Sequence, residues 1–121
     1  MSRTVIRPDT PGPFSPALVV DGWVFLSGQG GFDPETGEIG SGIAAQAAQT
    51  IENISALLQE AGSSLKDVVS CLVHLTDLDD FAEFNRVYEG YFESPRPVRT
   101  TVRADLVRGM VVEITVVART S

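Results

Sequence analysis

The chain has 121 residues (13.0 kDa), 43% hydrophobic and 21% charged, which are the proportions of one globular domain over residues 1–121 that buries roughly two-thirds of its extended-chain surface. Sixteen acids against nine Lys/Arg leave a net charge of −7, which argues against a nucleic-acid partner, because phosphate-backbone binders need clustered cations. One cysteine, Cys71, and one histidine, His74, exclude an intrachain disulfide framework, a cysteine-based metal cluster and a histidine-rich metal site.

In chain order, residues 5–7 are compatible with a short strand, and Pro8, Pro11, Gly12, Pro13 and Pro16 then forbid regular structure. No signal-peptide-like apolar run precedes Pro8, and no stretch is long enough to cross a bilayer. The expectation is therefore a cytoplasmic protein without a membrane partner. Two apolar runs, 17–20 and 23–27, meet across Asp21-Gly22. That dipeptide predicts a type I′ hairpin, because both central residues of such a turn need positive φ. Residues 28–42 are glycine-rich and read as a loop.

Between residues 41 and 61 the apolar period becomes helical. Ile43, Ala47, Ile51, Ile54 and Leu58 form the core stripe, with Gln46, Gln49, Glu52 and Gln59 facing away and Gly62 at the C′ position. An apolar strand follows over 68–75. A second helix, 79–92, places Phe81, Phe84, Tyr88 and Tyr91 on one face, and Asp77, Asp79 and Asp80 read as capping and dipole charges. Strands 98–104 and 111–118 close the chain. The order β-β-β-α-β-α-β-β makes an α+β domain, a mixed β-sheet with two helices packed on one face.

If the last two strands pair as a hairpin about Val107, Arg99, Thr101 and Glu113 share a polar face, and Val98, Val102, Val112, Ile114 and Val116 share a core face. An arginine beside a glutamate could clamp a small carboxylate and activate a water, although an exposed Arg–Glu pair is more often a solvated surface contact. At the end of the first hairpin, Ser27-Gly28-Gln29-Gly30-Gly31 is either a ligand-approach loop or a plain turn. It lacks the lysine and the following helix of a phosphate loop. Cys71 reads as a packed thiol, His74 as a hydrogen-bonded core histidine, and Asn85 as either a site contact or a solvated side chain.

Taken as an ordered series, the segments resemble the RidA (YjgF, reactive intermediate deaminase) family. They are Phe14-Ser15-Pro16, Phe25-Leu26-Ser27-Gly28-Gln29, Asp33-Pro34-Glu35-Thr36-Gly37-Glu38, Gln46-Ala47-Ala48-Gln49-Thr50-Ile51-Glu52-Asn53-Ile54, Leu75-Thr76-Asp77-Leu78-Asp79-Asp80-Phe81, Phe84-Asn85-Arg86-Val87-Tyr88, Pro97-Val98-Arg99-Thr100-Thr101-Val102 and Val112-Glu113-Ile114. The resemblance implies a chorismate-mutase-like fold, a homotrimer with a cleft at each subunit interface, and hydrolysis of 2-imino (enamine) acids to 2-keto acids and ammonia without metal or cofactor. It implies that Arg99 binds the substrate carboxylate and Glu113 activates water, with Ser27, Gly28, Gly31, Asn85, Thr101, Phe14 and Phe84 binding substrate. Ala17 stands where the archetype has tyrosine, Thr101 where it often has cysteine, and Gly30-Gly31 where it has Ile/Val-Pro. The last inter-strand turn is one residue shorter. These departures leave a second expectation beside the first, a non-catalytic or differently specific relative that binds a small carboxylate or keto acid.

Overall fold

Asp21 and Gly22 have φ of +51° and +78°, the positive pair a type I′ turn requires, and they join β2 (Ala17–Val20) to β3 (Trp23–Leu26) with Val20 opposite Trp23. The structure, a computed structural model, describes residues 2–121. A short β1 (Thr4–Ile6) pairs with β2 at one edge of the sheet. Helix α1 (Ile43–Glu60) stops as its sequence dictates: Gly62 has φ +78°, its amide donates to the Gln59 carbonyl, and the Ser63 amide donates to the Leu58 carbonyl at 2.8 Å. That pair of bonds is a Schellman motif, which satisfies carbonyls the helix end would otherwise orphan.

Strand β4 (Val68–Leu75), helix α2 (Phe81–Tyr91), β5 (Val98–Arg103) and β6 (Val112–Arg119) complete the chain. The order across the six-stranded mixed sheet is β1-β2-β3-β6-β4-β5. Both helices pack on one face. Ile51, Ile54, Leu57 and Leu58 of α1 and Phe84 of α2 are buried against Val24, Val73, Leu75, Val112, Ile114 and Val116 of the sheet. A turn of 3-10 helix, Leu78–Asp80, precedes α2, so α2 begins at Phe81 rather than at residue 79, and the Asp77 side chain caps that turn by accepting from the Asp79 amide. Of the aromatic face, Phe84 and Tyr88 are buried, whereas Phe81 is exposed and Tyr91 only half-buried.

The expected hairpin of the last two strands does not form. β5 runs parallel to β4 with Cys71 opposite Arg99 and Val73 opposite Thr101, and β6 lies on the other side of β4, antiparallel, with Val73 opposite Ile114 and His74 opposite Glu113. The reason is the β4–α2–β5 unit, a strand–helix–strand crossover that returns parallel to its own first strand. Residues 104–111 then carry the chain across the end of β4 to the slot between β4 and β3.

This changes the faces. Arg99 and Thr101 share the helix-covered side with Cys71 and Val73, while Glu113 shares the open side with His74. Val98 and Val102, expected in the core, lie on the open side and are 71% and 39% exposed. No helix among the described residues is long and apolar enough to cross a membrane.

Candidate functional site

Arg99 sits on the edge strand, so its side chain reaches the rim of the sheet while remaining on the helix side. There it meets the aromatic face of α2: its Cζ lies 4.7 Å from the Tyr88 ring centroid, 5.5 Å from that of Phe81 and 5.6 Å from that of Phe84. Stacked rings hold a guanidinium in place without neutralising it. The only ion pair among the described residues is Arg7–Glu60, so the Arg99 charge has no carboxylate partner.

Three polar atoms around this cation are shut off from solvent and unbonded: Asn85 Oδ1, the Tyr88 hydroxyl and Thr101 Oγ1. Burial pushes the Tyr88 hydroxyl far above the usual tyrosine range, and it also raises the Cys71 thiol, so both are neutral at pH 7. A cavity of about 330 Å³ opens here, lined by Asn85, Tyr88, Glu89, Arg96, Pro97 and Arg99. Buried polar atoms are almost always paired, so the two hydroxyls and the amide oxygen left unbonded near an unpaired cation are groups that a polar ligand could satisfy.

Glu113 belongs to a second cleft, of about 470 Å³, which Phe14, Gly28, Gln29 and Arg108 also line. Gly28 lets the carboxylate lie against the backbone: a Cβ there would stand 2.7 Å from Glu113 Cδ. The Gln29–Ile114 bridge, with bonds of 2.9 and 3.0 Å, ties the glycine loop to β6 beside Glu113. Arg108 stacks on Phe32 at 4.4 Å.

Two side-chain amides of α1, one buried and one part-buried, fix these loops. Gln46, expected to face away, is 2% exposed: its Nε2 donates to the Gly40 and Gly109 carbonyls at 2.9 and 3.2 Å, and its Oε1 accepts from the Val111 amide at 2.8 Å. Asn53 donates to the Gly30 and Phe32 carbonyls.

The predicted residues thus divide. Phe84, Asn85, Arg99 and Thr101 gather in one place, and Phe14, Gly28 and Glu113 in another, on the opposite face of the sheet. Ser27 is occupied internally, its hydroxyl donating to the Ser15 carbonyl at 2.7 Å and its amide to the Pro16 carbonyl at 2.9 Å, so it offers a ligand no free proton. Gly31 is buried against the Gln46 backbone and lines neither cleft; a Cβ there would lie 2.7 Å from the Gln46 carbonyl oxygen. Tyr88, which the sequence offers only as part of an aromatic stripe, stacks on Arg99, and Arg96, Arg108 and Gln46 also sit at the two clefts or fix their loops. The spacing of Gln46 from Ile43 and Thr50 puts it on the buried stripe, and that spacing was the signal available. His74, expected to be hydrogen-bonded, leaves its buried Nδ1 without a partner. Among the described residues no group of three or more His, Cys, Asp or Glu is placed to hold a metal ion.

Over residues 4–120 the chain matches the family described as Endoribonuclease L-PSP. It is 38% identical over 117 residues to the Homo sapiens 2-iminobutanoate/2-iminopropanoate deaminase, across 95% of this chain and 85% of that protein. RidA from the Antarctic bacterium Psychrobacter sp. PAMC 21119 has a similar structure, with a TM-score of 0.88 and 46% identity over 91% of this chain and 90% of that one. E. coli TdcF, solved with bound serine, gives a TM-score of 0.90 at 32% identity, covering 98% of this chain and 99% of that one.

Proposed function

The chain belongs to the endoribonuclease L-PSP (YjgF/RidA/RutC) family, and on that footing we propose that it hydrolyses 2-imino (enamine) acids to 2-keto acids and ammonia in clefts that two copies of the chain complete together. The observation that carries this reading is the unpaired Arg99 guanidinium, held by three aromatic rings and surrounded by the unbonded polar atoms of Asn85, Tyr88 and Thr101. A substrate carboxylate fits that cation as a two-pronged partner. Serine, the ligand named with TdcF, is a small molecule with a carboxylate next to a nitrogen-bearing carbon.

Within one chain Glu113 is on the wrong face to meet a substrate bound at Arg99. The open sheet face supplies the remedy. It displays Trp23, Phe25, Leu72, Val98 and Val102, each at least 37% exposed, and an apolar surface of this kind calls for a protein partner. A second copy docked there brings its own Glu113 cleft towards the Arg99 rim of its neighbour, and a ring of three copies closes the arrangement.

In the assembled cleft Arg99 holds the carboxylate and so fixes C2 of the imine against a bound water. Orientation of this kind can lower a barrier by several kcal/mol. Glu113 takes a proton from the water as its oxygen bonds to C2, and the C=N π pair moves to nitrogen, which gains a proton. Collapse of the resulting carbinolamine breaks the C–N bond and releases ammonia, leaving the ketone, so that one water is consumed per ammonia formed.

The test is the loss of 2-iminopropanoate generated in situ, with and without protein. Acceleration over buffer that disappears in both Arg99→Ala and Glu113→Gln is expected, and no acceleration overturns the reading. Co-expressed, the two inactive variants restore about a quarter of wild-type activity if each cleft draws one residue from each of two chains. A melting shift with 2-ketobutyrate, absent in Arg99→Ala and unaccompanied by turnover, identifies the chain instead as a binding module. RNA is a poor partner for a surface of net charge −7.

A further inference from the structure

The loop that leaves α2 for β5 carries a second arginine to the Arg99 cavity. Pro95 and Pro97 stand on either side of Arg96 and restrict its backbone. The Arg96 Nε donates to the Phe92 carbonyl at 2.8 Å, which ties the guanidinium to the end of α2. Arg96 and Arg99 line the same cavity of about 330 Å³, a volume at the small end of ligand sites. Neither has an ion-pair partner among the described residues. Both reach the Tyr88 hydroxyl: burial pushes that group up, and the Arg99 and Arg96 charges act against the rise. Glu89 is the one acid of the lining. It is exposed and pairs with neither arginine, so the cavity carries two cations to one anion.

We propose that Arg96 is a second anion clamp that makes the cavity selective for 2-imino and 2-keto dicarboxylates. Arg99 takes the carboxylate next to the reacting carbon, and Arg96 takes the one at the far end of the ligand's chain. The inference names the substrate class of the proposed site and rests on the deaminase reading for its kinetic part. A monocarboxylate on Arg99 leaves the second cation unanswered. A guanidinium matches a planar carboxylate with two parallel hydrogen bonds, so each end of a dicarboxylate meets a partner of its own shape. An arginine already held by its Nε gives up little freedom when the ligand arrives. Glu89 opposes the second anion, so removing its charge strengthens the preference.

2-Oxoglutarate and 2-oxopentanoate share a chain length and differ in the second carboxylate. The ratio of their dissociation constants, measured by isothermal titration calorimetry, therefore isolates the far clamp. Wild type is expected to bind 2-oxoglutarate about 10-fold more tightly. Arg96→Gln brings the ratio to about 1, and Glu89→Gln raises it about threefold. Arg99→Ala weakens both ligands. A ratio, unlike a single constant, does not respond to a general disturbance of the fold. In imine hydrolysis the same preference appears in KM for 2-iminoglutarate against 2-iminopentanoate, because the far carboxylate is held equally in ground and transition states. Failure of wild type to bind 2-oxoglutarate, equal affinities for the two ligands, or a preference that survives Arg96→Gln overturns the clamp. If the ratio behaves as expected but wild type hydrolyses neither imine, the clamp stands and the deaminase reading falls.

Discussion

Replacing Gln46 by methionine keeps the length of the side chain and removes all three of its hydrogen bonds, and the cost can be worked out bond by bond. The Gly40 and Gly109 carbonyls belong to exposed residues and can turn to water, so each of those bonds is worth its net value of about 1 kcal/mol. The Val111 amide is part-buried where Gln46 Oε1 meets it, and leaving it unpaired costs about 1–3 kcal/mol. The apolar methionine returns roughly 1 kcal/mol by filling the same space. The balance is a loss of about 3 kcal/mol. For 121 residues the unfolding entropy is about 0.25 kcal/mol/K, so Tm should fall by about 12 °C. Thermal unfolding followed by circular dichroism at one fixed protein concentration for both variants measures it. A fall of less than about 4 °C would refute the claim that this amide, rather than the apolar contacts around it, holds residues 109–111 against α1.

Arg99→Lys keeps the charge but not the planar fork or the ring stacking, and kcat/KM for imine hydrolysis should drop by about 10-fold or more; equal activity counts against a two-pronged clamp. Gly28→Ala puts a methyl 2.7 Å from Glu113 Cδ, so turnover should fall by about 10-fold while Tm changes little; unchanged turnover would show that the carboxylate need not lie against this loop. Leu72→Asp places a charge in the middle of the open sheet face and should yield a folded monomer in analytical ultracentrifugation, with an intact oligomer as the contrary result. The hydrogen bond from Arg7 holds the Glu60 carboxyl below its ordinary range, so the unfolded chain binds the proton more tightly. Its contribution is complete above about pH 4.5 and is lost as pH falls through the lower folded value. Glu60→Gln should therefore flatten the acid limb of a Tm-against-pH curve and leave the curve flat near pH 7; a parallel displacement at every pH contradicts the linkage.

Local chemistry was legible in the sequence and long-range pairing was not. Asp21-Gly22, Gly62 and the run Val68–Leu75 each specify their own conformation through turn geometry, an αL cap or a short apolar run rich in valine, and each element stands where the sequence places it. The alternation of β5 was equally clear, but period two only assigns residues to two faces; it does not say which strand lies alongside or which face is covered. Val98 and Val102 read as core because they are apolar. They are apolar because the open side of this sheet is apolar too, with Leu72 on the neighbouring strand and Phe25 further across the same face. Gln46 misled for the opposite reason: a polar residue type outweighed a position that the helical period places on the buried stripe.

The misassigned face decides how the site can work. With Arg99 and Glu113 neighbours on one surface, a single chain could bind and hydrolyse its substrate, and the pair would partly neutralise itself before any ligand arrived. The parallel crossover sends them to opposite sides instead, which leaves Arg99 as an unpaired cation among rings and Glu113 beside a histidine. Neither group is paired with the other before a ligand arrives. An unpaired charge in a part-buried place weakens the isolated fold, and association offsets that cost only when the opposite half of the cleft, or a carboxylate, comes to meet it. If the proposed inter-subunit cleft is right, the topology that puts Arg99 and Glu113 on opposite faces also gives copies and substrate an electrostatic reason to assemble together.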